Sequence, residues 1–519
     1  MNQALSILRQ FMVDEKIDYL LVNSTNKYLV EYNSLNKNSR YKLTNFSGST
    51  GDALVTIDNV FLFVDGRYHI QADMEVDHNM TTVVKLQNGQ KFLDEMINII
   101  PKDATLGIFA QKVSQKTVEY IESQIKIKLI DFDPLDMTLL PQTTSYEKID
   151  ENLCGHSTDD IVRKLGLKNN EALIITNLEE LSYLFNLRDF SNQYSTKVKG
   201  KGIILKDNAI FFDETQAEDF EEYIKNLDRT VLIDKSSINA YEYSLIKHKA
   251  KELEQNPIAL MKSIKTEAEI EHYIEAFNKT DKAVLSIREY IETYDNISEF
   301  DIARKLEEEF YRFGAKLLSF NSIVAKDKNS ALAHYSKCSH DKILTDGSLI
   351  LIDCGAYYEG GLATDITRVF VKGTPTALHK KIYTTVLKAF LNAYNTKIKD
   401  NISGYEIDNH VRKIFASIDT QGFVFNHGLG HGIGINVHEA PPNLSANDIA
   451  KTPLKENMCF TIEPGLYKEN YFGVRLENSC YLKNGKINSF VHVPYEKKLI
   501  DFAMLTEQEK LWLNEFGVI

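Results

Sequence analysis

No apolar run in this 519-residue chain reaches the roughly 18 residues that a membrane-crossing helix needs. The opening MNQALSILRQFMVDEK is broken by Arg9, Asp14, Glu15 and Lys16, so no signal-peptide core is expected either. Cysteine is scarce: Cys154, Cys338, Cys354, Cys459 and Cys480 are odd in number and lack paired spacing, which excludes a disulfide framework and places the chain in a reducing cytoplasm. Without a cysteine pair there is no structural zinc cage. Positive charge is in deficit. Sixty Lys plus Arg against 73 Asp plus Glu leave a net charge of −13, and without clustered positive charge neither nucleic acid nor a membrane surface is expected as a partner. With only 10 Pro and 25 Gly, and with 43% hydrophobic residues, the chain is an ordinary globular one rather than collagenous or low-complexity. GxSxG is missing, and no serine has a readable companion base.

What is present falls into three parts. Leu5, Leu8, Phe11 and Met12 stand at helical spacing and are followed by the strand-like DYLLV and LVTIDNVFLFVDGR, an α/β opening. A related order returns about 150 residues later, where EALII parallels DYLLV and DNAIFF parallels DNVFLF, a weak internal duplication. The stretch DFDPLDMTLLPQTTSYEK interrupts both periodicities and is read as a linker. After Pro257, charged and apolar residues alternate at helical spacing, predicting one or two helices that open a third region. The expected domains are 1–140, 141–263 and 264–519.

Three segments of the last region carry chemistry. In LILIDCGAYYEGGLATDITRVF an apolar strand ends in Asp353, a glycine turn reverses it, and Asp365 stands twelve residues on, so a hairpin centred on Glu359 would set the two acids face to face. Facing anions repel and call for a cation between them. FTIEPGLYKENYFGVRLENSC repeats the arrangement with Glu463 and Glu477 about Asn470. Four inward carboxylates could supply hard oxygen ligands for two divalent ions. NHGLGHGIGINVHEAPP holds His427, His431 and His438 among four glycines, which are too costly for a helical HExxH-like site and predict strand and turn. His427 and His431 then share one face, while His438 needs a bend to join them. His334, in SALAHYSK, is ambiguous by itself, and Cys354, pointing opposite to Asp353, is read as core.

Together these segments resemble the metallopeptidase family built on the pita-bread fold, which includes methionine aminopeptidase, prolidase, Xaa-Pro aminopeptidase and creatinase. The family's Asp, Asp, His, Glu, Glu metal set falls in order on Asp353, Asp365, His431, Glu463 and Glu477, inside IDCGAYYEGGLATDITR, HGLGHGIG, TIEPGLY and GVRLEN. The resemblance is strong over 264–519. The three-domain length, the RYHIQAD segment and the closing VPYEKKLIDFAMLT add a likeness to large cytosolic Xaa-Pro aminopeptidases.

The resemblance implies two creatinase-like N-terminal α/β domains followed by an α+β pita-bread catalytic domain. It further implies two divalent ions per subunit, manganese before zinc or cobalt, in a cytoplasmic homodimer that acts on peptides with proline in second position. By the same resemblance, Asp353 holds one ion, Asp365 and Glu477 bridge both, and His431 with Glu463 complete the second. A water shared by the ions attacks the scissile carbonyl, Glu463 shuttles the proton, and His438 stabilises the oxyanion. His334, His427 and His438 line the substrate cleft, and Arg475 holds the carboxylate network. The alternatives are a prolidase confined to dipeptides, an inactive peptide-binding relative, and a creatinase-type hydrolase.

Overall fold

Leu5, Leu8, Phe11 and Met12 are buried along helix Gln3–Glu15 in the computed structural model, which describes residues 3–31, 33–87, 89–136, 145–399 and 401–518. The expected boundary at 140–141 lies outside the described residues. The chain divides into two compact units: Met1–Thr144 with Thr158–Phe185 and Val198–Pro257, and Ser145–Ser157 with Asn186–Lys197 and Ile258–Ile519.

The first unit holds two sheets. In one, the strands run in the order Thr81–Lys85, Val60–Val64, Asp52–Val55, Tyr19–Val22, Thr105–Phe109, Lys126–Ile130; in the other, Asn208–Asp213, Gly200–Leu205, Glu171–Ile175, Thr230–Ile233, Ala250–Glu252. Tyr19–Val22 and Glu171–Ile175 occupy equivalent central places. Each is antiparallel to a hairpin strand on one side and parallel to a strand on the other. Thus the duplication read from DYLLV/EALII and DNVFLF/DNAIFF is a duplication of topology, with Thr81–Lys85 as an extra edge strand in the first copy.

The longest stretch of the second unit, Ile258–Ile519, begins inside helix Pro257–Ser263 and continues in the 27-residue helix Glu267–Thr293, started by a capping box in which Thr266 and Glu269 satisfy each other's backbone N–H groups. Helices Glu299–Arg312, Ala377–Tyr394 and Gly404–Ala416 begin with the same device. An antiparallel sheet orders Ile323–Lys326, Leu349–Cys354, Ile366–Val371, Glu477–Lys483 and Cys459–Ile462, and Lys486–Ser489 pairs with Glu477–Lys483. Leu349, Leu351, Val369 and Val371 share a core with Ile382, Val386 and Phe390 of one helix and Ile407 and Val411 of another. The next positions along that apolar face are Asp353 and Thr367, so the core runs directly into polar groups. No helix among the described residues is long and apolar enough to cross a membrane. All five cysteines are free, and Cys354 is fully buried, as expected of a core residue.

A buried acid inside this unit makes stability pH-dependent. Burial pushes Asp281 up to about 7, against the pull of the His492 N–H and of Arg368; its Oδ2 accepts that N–H at 2.8 Å while Oδ1 has no partner. Because the folded-state value lies above the unfolded one, the stabilisation is full below about pH 4 and is lost as pH rises toward 7. Asp281→Asn is expected to flatten this slope and to stabilise the chain at pH 8 by about 1–3 kcal/mol, read by urea unfolding at pH 5 and pH 8. Equal slopes in both proteins would contradict it.

Candidate metal centre

Strand register brings the acids together, though not in the expected pairing. Leu349–Cys354 pairs with Ile366–Val371 so that Asp353 faces Thr367 and Cys354 faces Ile366. The reversal is centred on Gly360, one residue beyond Glu359, because the chain turns at Gly361 (φ +65°), whose N–H bonds back to Tyr358 at 2.9 Å. A Cβ at Gly360 would also lie 2.6 Å from the His272 ring. The face-to-face placement of Asp353 and Asp365 is therefore corrected: Asp365 stands one pleat further along the same face. Thr367 in turn faces Glu477, giving a row of acid, hydroxyl and acid across three strands.

The second hairpin follows the sequence reading. Gly465–Lys468 pairs with Phe472–Arg475 about Asn470 (φ 64°), and the same register resumes where Cys459–Ile462 meets Glu477–Lys483. Glu463 and Glu477 lie at the interruption between these two ladders.

Arg475, 3% exposed, ties the row together. Its Nη2 donates to Asp353 Oδ2 at 2.6 Å, Nε to Thr367 Oγ1 at 3.1 Å, and Nη1 to the Tyr467 hydroxyl at 2.7 Å and the Ala333 carbonyl at 3.3 Å. Thr367 Oγ1 passes its own hydrogen to Glu477 Oε2 at 2.7 Å. His427 joins this chain from the other side of Tyr467. Its Nδ1 lies 2.7 Å from the Gly428 carbonyl, which can only accept, so Nδ1 holds the proton and Nε2 accepts from the Tyr467 hydroxyl at 2.9 Å.

The same reasoning fixes His431. Gly430–His431 pairs with Asn443–Leu444, and a Cβ on Gly430 would lie 2.0 Å from the Thr461 carbonyl oxygen. His431 Nδ1 donates to the Gly432 carbonyl at 3.0 Å, which turns Nε2 toward the acids. Nε2 lies 3.4 Å from Glu463 Oε1 and 3.7 Å from Asp365 Oδ2. One ligand atom each from Asp365, His431 and Glu477 lie within 4.8 Å of one another.

Four carboxylates gathered around the single charge of Arg475 repel one another unless a further cation stands between them. Asp353 Oδ1, Asp365 Oδ1 and Glu477 Oε1 are buried with no hydrogen-bond partner. Burial first, then neighbouring carboxylates, push Asp365 and Glu477 well above the usual range; burial raises Glu463 to about 7 although Arg475 draws it down. Carboxylates of this number beside an imidazole, three of them with a buried oxygen that has no hydrogen-bond partner, fit divalent cations of the manganese, cobalt and zinc type.

The bend that His438 needs is present. Gly432 N–H bonds to the Pro442 carbonyl and Glu439 N–H to the Gly432 carbonyl, both at 2.8 Å, folding the segment back until the His438 ring stands edge-on to His431 at 4.3 Å between centroids. His334 follows Ala333, the residue whose carbonyl accepts from Arg475.

Sequence reasoning missed Thr367 and Tyr467, although Thr367 shares a strand face with Asp365 and could have been found by period-two counting. It also missed a buried triad behind His438. Lys265 Nζ and Lys262 Nζ lie 2.7 and 3.2 Å from Glu439 Oε1, while Oε2 accepts the Ile435 N–H at 2.8 Å. Burial would raise Glu439, but the two lysines outweigh it and hold the acid down to about 2. This stabilisation is present above about pH 4.5 and lost as pH falls toward 2. Glu439→Gln removes the carboxylate that both buried lysines face and is expected to cost about 3–5 kcal/mol in urea unfolding at pH 7. A loss under 1 kcal/mol would contradict this role.

Residues 271–484 match metallopeptidase family M24, and residues 5–139 match the creatinase/prolidase N-terminal domain. The probable Xaa-Pro aminopeptidase P of Coprinopsis cinerea is 27% identical over 590 residues, covering 99% of this chain and 94% of that one. Xaa-Pro aminopeptidase 1 of Dictyostelium discoideum is 28% identical over 575 residues, covering 98% and 91%. Among solved structures, an X-prolyl aminopeptidase from Caenorhabditis elegans, described as a cytosolic enzyme with a di-nuclear active site, superposes with a TM-score of 0.88 at 22% identity, covering 99% of this chain and 94% of that one. The chain therefore carries a creatinase-type N-terminal domain over residues 5–139 and, over residues 271–484, a metallopeptidase M24 domain of the pita-bread fold.

Proposed function

We propose that the chain is a metal-dependent aminopeptidase that hydrolyses the bond between an N-terminal residue and a following proline. The observation that carries this reading is that ligand atoms of Asp365, His431 and Glu477 lie within 4.8 Å of one another, with Glu463 3.4 Å from His431 Nε2 and with one buried oxygen each of Asp353, Asp365 and Glu477 lacking a hydrogen-bond partner. The match of residues 271–484 to metallopeptidase family M24 supports it, and so do the relatives, which carry Xaa-Pro aminopeptidase names. These five residues would hold two divalent ions, manganese by preference. Bound there, such ions supply Lewis-acid polarisation of the scissile carbonyl and acidify water.

The rest is the work of the chain's own groups. Glu463, whose Oε1 lies 3.4 Å from His431 Nε2, takes a proton from the attacking water and delivers it to the departing proline nitrogen, as an amide leaving group requires. His438, beside His431, donates to the carbonyl oxygen as it gains charge. Arg475 keeps Asp353 oriented through a charge-assisted hydrogen bond. His334 and His427 bind the proline side of the substrate. The working form would be a cytoplasmic homodimer.

The discriminating assay compares an Xaa-Pro-Yaa tripeptide with the Xaa-Pro dipeptide after the metal-stripped protein is reloaded with manganese. Release of the first residue from the tripeptide, abolished by chelation, is the expected result. Strong preference for the dipeptide would make the protein a prolidase, and failure to cleave either would leave a peptide-binding relative.

A further inference from the structure

Glu299 is a buried carboxylate, 0% exposed, and forms no ion pair among the described residues. It begins helix Glu299–Arg312, whose capping box is already complete between Ser298 and Asp301, so helix initiation does not require it. Four donors surround it. Oε1 accepts from the Lys326 N–H at 2.6 Å and Asn329 Nδ2 at 2.8 Å; Oε2 accepts from the Ser339 N–H at 3.4 Å and lies 2.8 Å from the Tyr335 hydroxyl, which shares its one hydrogen between Oε2 and the Lys337 carbonyl. All four belong to one segment, 326–339, which leaves strand Ile323–Lys326 and carries His334.

The opposite side of that segment is fastened to the metal-centre hairpin. Ser330 Oγ accepts the Gly473 N–H at 2.8 Å, and the Ala333 carbonyl accepts from Arg475 Nη1 at 3.3 Å. A buried anion without a counter-ion is costly for mere packing, since an apolar side chain of similar size would fill the space without desolvation cost. Held by donors from both ends and the middle of one loop, it fixes that loop's path. His334 stands between Ala333, fastened to Arg475, and Tyr335, fastened to Glu299.

We propose that Glu299 is a positioning residue that sets His334 against the substrate by gripping segment 326–339. This rests on the reading of His334 as a substrate-binding residue. Glu299→Gln turns one acceptor oxygen into an amide donor, so either the Lys326 and Asn329 donors or the Tyr335 and Ser339 donors lose their partner.

A double-mutant cycle on the full-length, manganese-loaded protein tests it, with kcat/KM on an Xaa-Pro-Yaa tripeptide, bound metal per chain and thermal midpoint measured for each variant. His334→Ala is expected to lower kcat/KM ~100-fold and Glu299→Gln ~10-fold, with metal content unchanged, and the double variant should match His334→Ala within ~3-fold. Tyr335→Phe, which removes one donor only, serves if Glu299→Gln does not fold, and its smaller loss should likewise vanish in the His334→Ala background. Full multiplication of the two losses overturns the proposal while leaving His334 a substrate residue. Unchanged kinetics in Glu299→Gln or Tyr335→Phe overturns it as well. Unchanged kinetics in His334→Ala removes the substrate role of His334 and this proposal with it, whereas tripeptide cleavage by the unsubstituted protein reports on the overall function separately.

Discussion

Asp365→Asn or Glu477→Gln is expected to lower kcat on an Xaa-Pro-Yaa peptide by at least ~10³-fold while leaving the metal-stripped chain no less stable than before. The two halves of this expectation have one cause. In the metal-free fold, burial and neighbouring carboxylates drive Asp365 and Glu477 toward their protonated forms, which an amide closely imitates in shape and charge. An amide therefore removes repulsion without opening a cavity. It also removes an anionic oxygen: each of these acids holds one buried oxygen without a partner, and an NH2 group at that place repels a cation. The rise in thermal midpoint that manganese confers on the unsubstituted protein should shrink or disappear. Near-normal turnover with full metal content would show that neither acid bridges the site.

The second large effect is expected from His438. Its ring meets His431 edge-on, and its segment is fixed by the buried Glu439 triad and by the Asn436 side chain, which donates to the His438 carbonyl at 2.8 Å. A donor held in this way needs little reorganisation when the substrate carbonyl gains negative charge. His438→Ala should lower kcat ~10²–10³-fold, with a smaller change in KM and unchanged metal stoichiometry, as expected for an interaction strengthened in the transition state. Loss of metal in this variant would reassign His438 as a ligand, and an effect confined to KM would make it a ground-state substrate contact.

The acids of the site were legible because each ends or flanks an apolar run, a pattern that a core-forming strand has no reason to adopt. Hairpin length was less legible. A turn centred on Glu359 or on Gly360 leaves the same acids on the same strands, and only the backbone at Gly361 decides that Asp353 faces Thr367. Glu463 and Glu477 were placed correctly about Asn470 because that turn has a residue suited to positive φ at its centre. Three histidines at short spacing in a glycine-rich segment were visible as a group, yet the backbone path that turns His427 and His431 so that each Nδ1 meets the next residue's carbonyl was not. Glu439 and Lys265 lie 174 residues apart, and Glu299 reaches a segment about 27 to 40 residues away. No local periodicity links such partners, so buried charges that meet across the fold stay hidden in the sequence.

Anomalous diffraction from crystals grown with excess manganese tests the central claim most directly. The expected result is two ions per chain, coordinated among them by Asp353, Asp365, His431, Glu463 and Glu477, with His431 binding through Nε2. Side chains standing apart with no anomalous peak between them, or His431 turned so that Nε2 donates elsewhere, would contradict the account.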